Sequence, residues 1–288
     1  MLFGTVLLWA LNITVTKYMF RHGWLPLAYG TIRYFAAISL FWGFTYWRER
    51  SFRIERRDLR LVLVAAAMIF LNQLCFVYAL KLTHASTVAL LLGTTPIFIG
   101  LISLALGIEH MPHPFWIGAA VTFVGIALIA LANGGVGSSL NGTLIAIGMA
   151  FTWACYTIAI APLMRRYSPY RISALVLAIG WVPLALVSIP QLGDQHFSIG
   201  WKDRLANAYA VVVPLFLTNI LWFTAIARVG ASRASLFANL QPFFAVFFAL
   251  ILLKESLHTL EIAGGVLIFA GIAWERFWRR PPPASAPP

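Results

Sequence analysis

Residues 236–274 read LFANLQPFFAVFFALILLKESLHTLEIAGGVLIFAGIAW, and residues 90–128 read LLLGTTPIFIGLISLALGIEHMPHPFWIGAAVTFVGIAL. Set over one another at an offset of 146 residues, they share Pro96/Pro242, Phe98/Phe244, Glu109/Glu255, Gly118/Gly264, Phe123/Phe269 and Gly125/Gly271 without a gap. Each stretch is an apolar segment with a proline, a glutamate thirteen residues later at a polar turn, and a glycine nine residues beyond that in a second apolar segment. Shared leucines alone would mean little, because apolar segments match by chance. Proline, glutamate and glycine answer to backbone and charge requirements instead, and their common register marks an internal repeat. The register extends back through Ser86/Ser232 and Ala85/Ala231 to Phe70/Phe216. At an offset of 144, Gly4 and Trp9-Ala10 fall on Gly148 and Trp153-Ala154.

The repeat unit is made of spans. Of the 288 residues 61% are hydrophobic and 10% charged, and the mean hydropathy is +0.84. Soluble domains carry about 25% charged residues, so a water-solvated surface of normal size is excluded. Apolar segments fall near 1–20, 26–47, 61–80, 85–107, 115–133, 141–161, 171–190, 208–227, 232–253 and 261–278. Most approach the roughly 20 residues that cross a bilayer core as a helix. Strand-length alternation, the mark of an outer-membrane barrel, is missing. The start at Met1 lacks a basic n-region and leads into further spans, so it is read as the first helix rather than a cleaved signal. The expected fold is an all-α integral membrane protein with ten transmembrane helices in two inverted five-helix repeats, 1–133 and 141–278. An odd number of spans per copy forces the opposite orientations that mark transporters with a site near the midplane. Residues 279–288 form a Pro-rich tail, expected to be disordered and cytoplasmic.

The net charge of +12 does not point to nucleic acid, because the basic residues sit in short loops between spans. Fourteen Arg fall on one side of the ten-span order: Arg48, Arg50, Arg53, Arg56, Arg57, Arg60, Arg165, Arg166, Arg171, Arg228, Arg233, Arg276, Arg279 and Arg280. Six basic residues fall on the other: Lys17, Arg21, Lys81, Lys202, Arg204 and Lys254. The richer side is cytoplasmic by the positive-inside rule, which puts both termini in the cytoplasm. Cys75 and Cys155 lie inside apolar segments as small hydrophobes.

On these residues the chain resembles the EamA-type branch of the drug/metabolite transporter superfamily. The motifs are the Pro, Glu and Gly spacing of each half, "LWALNITVTKY" with its central Trp9, and "TIRYFAAISL" with Arg33 before an aromatic. The resemblance covers nearly the whole chain. It implies ten helices in a bacterial cytoplasmic membrane and export of small solutes, with amino-acid exporters of the YddG type among the members.

Polar side chains in hydrocarbon are costly and face a bundle interior or a watery cavity. The candidates for substrate binding are Trp9, Asn12, Arg33, Asn72, Tyr78, Thr94, Trp153, Tyr156, Asn219, Trp222, Asn239 and Gln241. Trp9 with Asn12, Trp153 with Tyr156, and Asn219 with Trp222 each stand three residues apart and share a helix face. Such pairs suit a cavity that stacks on an apolar moiety and hydrogen-bonds a polar head. The competing reading is interhelical glue, worth about 0.6 kcal/mol per bond. Arg33 either snorkels to the interface or points inward to a substrate carboxylate. Pro96 and Pro242 are expected to kink their helices as static bends or as hinges. Glu109 and Glu255 are expected to accept hydrogen bonds from the first N–H groups of the helix that follows each. The glycines of the fifth and tenth spans allow close packing.

His84 is the candidate proton or gate residue, against the alternative of an interface residue. No Asp or Glu falls in the middle of a span, which argues against a cationic drug site and for facilitated movement rather than strict proton exchange. An integral-membrane enzyme acting on a lipid-like substrate is the competing class, but only Glu109, His110 and His113 cluster at a surface. Walker, EF-hand, HExxH, GxSxG and CxxC motifs are missing, so no cofactor is expected and this chain alone does not pump with ATP. The expected partners are a small-molecule solute, amino acids before sugars, nucleosides or drugs, and membrane lipids. The chain is expected to act as a monomer or homodimer.

Overall fold

The computed structural model describes residues 2–108, 111–132, 138–196, 200–222 and 240–278, and among these it is helical with no strand. The first half holds α1 (Leu2–Arg21), α2 (Pro26–Glu49), α3 (Leu59–Leu82), α4 (Ala85–Leu92), α5 (Thr95–Ala105) and α6 (His113–Ala132). The second holds α7 (Ser138–Ile160), α8 (Pro169–Asp194), α9 (Trp201–Val211), α10 (Leu240–Leu252) and α11 (Thr259–Trp278). Seven helical segments among the described residues are long and apolar enough to cross a membrane. The molecule is an all-α membrane protein. The helix α2 is 24 residues long and carries Arg33 within it and Arg48 and Glu49 at its end.

Local chemistry sets the ends. Pro26 and Pro169 open α2 and α8 within the first turn, where a missing N–H removes no helix bond. Ser168 caps α8, its Oγ accepting from the Arg171 N–H at 3.3 Å. Gly23, at φ +88°, takes the left-handed turn between α1 and α2 that a side chain would resist.

Two spans depart from expectation. The fourth span is broken into α4 and α5 at Gly93–Thr94 rather than bent at mid-helix, and Pro96 sits in the first turn of α5. Pro96 has no N–H to offer the Leu92 carbonyl, and the Thr95 hydroxyl donates to that oxygen instead at 2.7 Å. The eighth span begins earlier than expected, at Trp201, and passes into a π-helical turn, Val212–Leu217, around Pro214. Much of the loop expected at 191–207 is therefore helix.

The halves meet at α6 and α11. A Cβ on Gly125 would stand 2.6 Å from the Gly264 carbonyl oxygen, and one on Gly264 would stand 2.6 Å from that of Gly125. Gly271 abuts the Gly118 carbonyl in the same way. The 146-residue offset turns Gly118 into Gly264 and Gly125 into Gly271, so it exchanges these two contacts. Of the glycines expected to allow close packing, Gly118, Gly125, Gly264 and Gly271 lie in this intrachain seam, while Gly265 packs on the Leu90 side chain of α4.

Each end of the bundle is tied separately. At one, Asp58 pairs with Arg166 and accepts from Tyr167 at 2.8 Å, and Arg171 Nε donates to Glu49 at 2.6 Å. At the other, Lys17 Nζ donates to the Leu80 and Thr83 carbonyls at 2.6 and 2.8 Å, closing the C-terminus of α3. There too the Leu25 and Leu27 N–H groups donate to Gln195 and Gln191, each at 2.8 Å. The outer flank is apolar, with Trp47, Leu131, Leu186 and Val266 exposed.

Candidate functional site

Three helices converge on Arg33. On α1, Trp9, Asn12 and Thr16 form one stripe by spacing of three and four. Arg33 lies seven residues into α2 from Pro26, about 10 Å along the axis. It is only 2% exposed, so it does not snorkel. Its Nη1 donates to Asn12 Oδ1 at 3.3 Å and Thr16 Oγ1 at 3.2 Å, and its Nη2 to Gln73 Oε1 at 3.4 Å. The rings of Tyr29, Phe76 and Tyr34 surround the guanidinium at 5.3, 5.4 and 5.9 Å. Gly30 gives Gln73 its room, because a Cβ there would stand 3.2 Å from Gln73 Nε2. Among the described residues no carboxylate pairs with Arg33.

An aromatic wall adjoins the stripe. Trp9 packs on Trp222 with ring centroids 5.2 Å apart, and its indole N–H donates to the Pro214 carbonyl at 3.0 Å. That carbonyl belongs to the π-helical turn, a feature frequent at functional sites. Tyr209 of α9 ties the same helices, donating to the Leu8 carbonyl at 2.7 Å. On α7, Trp153 lies 5.3 Å from Tyr156 and is 39% exposed.

Several expected residues spend their polar groups elsewhere. Asn72 donates to the Met149 carbonyl at 2.8 Å and joins α3 to α7. Thr94 and Asn219 bond carbonyls of their own chain segments, Leu91 and Leu215, each at 2.7 Å. The Tyr78 hydroxyl accepts from Gln191 Nε2 at 3.3 Å. His84 is exposed at the N-cap of α4, with no side-chain cap bond. Gln241 and Pro242 stand at the described start of α10, half-buried and buried. Asn239, Glu109 and His110 lie outside the described residues.

The expectation for Glu255 is corrected in its partner. It grips α4, from the other half of the chain, and not the helix that follows it. Its carboxylate accepts from the Ala85 and Ser86 N–H groups, both at 3.0 Å, and from Ser86 Oγ at 2.9 Å. Arg21 reaches it at 3.5 Å and donates to the Leu253 carbonyl at 2.8 Å. The first turn of α11 is served by Glu261, whose Oε2 accepts from the His258 N–H at 3.0 Å and whose Oε1 accepts from Thr87 at 2.7 Å. Thr16, Tyr29 and Phe76 of the Arg33 shell escaped the sequence reading. Thr16 and Tyr29 each lie four residues from a polar neighbour already noted, Asn12 and Arg33, which was the available signal.

Two apolar clefts open on the outer flank, of about 190 and 330 Å³. One lies against Ala66 and Gly180, between α3 and α8; the other against Thr31 and Trp181, between α2 and α8. Arg33 lines neither of them.

The family model described as the EamA-like transporter family matches residues 1–131 and again 140–274. Relatives include the uncharacterized transporter YdfC of Bacillus subtilis, 26% identical over 67% of this chain and 63% of its own length. The chain thus spans under two thirds of that relative. An uncharacterized transporter of Archaeoglobus fulgidus is 25% identical over 93% of this chain and 94% of its own. A probable terminal-alkyne amino-acid exporter of Streptantibioticus cattleyicolor is 27% identical over 65% of this chain and 63% of its own. A solved protein crystal structure superposes with a TM-score of 0.67 over 97% of both chains at 17% identity, which speaks to the fold alone.

Proposed function

The chain belongs to the EamA-like transporter family, and from that premise we propose that it exports small metabolites, amino acids first, by alternating access around the Arg33 cluster. It is a multi-pass membrane transporter of small molecules. In this reading ten spans form two inverted halves, 1–133 and 141–278, in a bacterial cytoplasmic membrane with both termini inside. The twofold family match and the exchange of seam contacts by the 146-residue offset support the inverted halves.

One observation carries the site: Arg33, Asn12, Thr16 and Gln73 converge from three helices in the bundle interior, walled by aromatic rings. Polar groups at that depth suit a solute's polar head, and the Trp9–Trp222 pair suits its apolar part. The amino-acid exporter named above adds support for that class. Flux into liposomes of purified protein, with a panel of amino acids, sugars and nucleosides, tests it. Amino-acid exchange is expected. Exchange confined to sugars or nucleosides would overturn the substrate class, and no exchange of any solute would overturn the export reading.

A further inference from the structure

We propose that Arg33 binds the carboxylate of the transported solute, and that the solute's amino group meets no acidic partner, so zwitterions and simple organic carboxylates share one site. The inference rests on the transport reading above and names its substrate class.

The cluster has donors in excess. Arg33 Nε and Gln73 Nε2 are buried and make no hydrogen bond. The Tyr29 hydroxyl, buried beside Thr16 and Arg33, makes none of standard geometry. The bonds that Arg33 does make, 3.2 to 3.4 Å to neutral oxygens, are longer than the roughly 2.7–2.9 Å of a charge-assisted bond to an anion. A buried charge with no counter-ion is strongly unfavourable, and the unmet groups here all donate. The three rings contact the guanidinium but accept no in-plane N–H bond. Nε and its neighbouring Nη form the fork that matches two carboxylate oxygens.

The same inventory limits the ligand. Asn12, Thr16 and Gln73 are neutral, and the nearest cation along α1, Lys17, is committed to the Leu80 and Thr83 carbonyls. A single cation suits a monoanion better than a phosphate dianion. No acid faces the cluster among the described residues, so an ammonium group is not selected for.

The test uses the purified full chain with 3-phenylpropionate, phenylalanine, phenylalaninamide and inorganic phosphate, read by thermal shift and by liposome uptake. Both carboxylates are expected to raise the wild-type melting temperature and to be taken up, whereas the amide and phosphate do neither. Arg33→Gln should lower carboxylate uptake efficiency roughly 10- to 100-fold and abolish the shift, the range for a lost charged hydrogen bond. Arg33→Lys, with charge but no fork, should restore part. Arg33→Gln should itself melt no lower than wild type, since it removes an uncompensated charge. Tyr29→Phe should fold normally and weaken carboxylate binding less. Carboxylate binding unchanged in Arg33→Gln, phenylalaninamide handled as well as phenylalanine, or no wild-type shift with either carboxylate would each overturn the proposal. An Arg33-dependent shift with no flux of any solute would uphold the site and sink the transport reading; flux indifferent to Arg33 would do the reverse.

Discussion

The ring of Pro242 lies against Gly93: a Cβ added to Gly93 would meet the proline Cγ at 3.5 Å and the Leu90 carbonyl at 3.0 Å. Gly93 stands in the break between α4 and α5, and Pro242 brings no N–H to α10. The first described turn of α10 therefore packs on the break between α4 and α5. If these points are hinges, Gly93→Ala, Pro96→Ala and Pro242→Ala should change turnover more than apparent affinity. About 1 kcal/mol in the barrier is a roughly fivefold change in rate. Turnover unaltered in all three, at normal expression, would make the break static packing.

Glu255 holds the first turn of α4 through three hydrogen bonds, with its side chain only 1% exposed. Glu255→Gln puts an amide donor opposite donors and should cost about 1–3 kcal/mol, read as a lower melting temperature. Arg21→Gln should cost less, since that guanidinium is 43% exposed and screened. A cysteine at Thr16, buried behind this end, should react faster with maleimide in the Glu255→Gln background. Unchanged reactivity would mean that the contact does not close this end.

The α6–α11 seam predicts a sharp contrast among glycines. Gly125→Ala and Gly264→Ala each drive a methyl into backbone 2.6 Å away and should destabilise by about 1–3 kcal/mol. Gly43, with nothing within 4 Å, should accept alanine without loss. Equal melting temperatures for all three variants would sink the seam.

What the sequence disclosed followed from how local each signal is. Gly125 and Gly264 were legible because only close helix approach asks for glycine in that register. Arg33 and Asn12 were legible as polar groups in apolar runs, but their meeting was not, because contacts between helices leave no mark on either strand of sequence alone. Glu255 showed its capping chemistry and hid its partner for the same reason, since the helix it grips lies 170 residues away. Asn72 and Asn12 are the same residue type at similar depth, yet one joins helices and the other faces Arg33. The polar start of α9, WKDRLAN, read as loop because its hydrophobic content is low, although the chain folds there as helix.

Trp9 separates solute contact from folding. Trp9→Ala removes the contact with Trp222 and the bond to Pro214, and should impair flux more than Trp116→Ala, whose ring is 47% exposed on the flank. Trp9→Phe keeps a ring without the N–H and should retain more flux than alanine, because stacking area is the larger part of the interaction. Equal losses at positions 9 and 116 would assign both rings to folding.

Energy coupling is the last prediction. Proton-driven carriers use a titratable group inside the membrane that the transport cycle exposes to both sides. Among the described residues the buried carboxylates are Asp58, Glu255 and Glu261, and none pairs with Arg33. Asp58 is held by Arg166 and Tyr167 at one end of the bundle, and Glu255 and Glu261 cap helices at the other. Each already accepts hydrogen bonds from donors fixed by the fold and away from Arg33. The chain should therefore equilibrate its solute across liposomes without an imposed pH gradient, and net flux should reverse when the solute gradient is reversed. His84→Gln should leave this behaviour intact, since that ring is exposed and makes no cap bond. Accumulation well above equilibrium under a proton gradient would overturn the uniport reading. If Glu255→Gln or Glu261→Gln then abolished accumulation while sparing equilibration, the coupling proton would belong to that carboxylate, and release of α4 would be the step it drives.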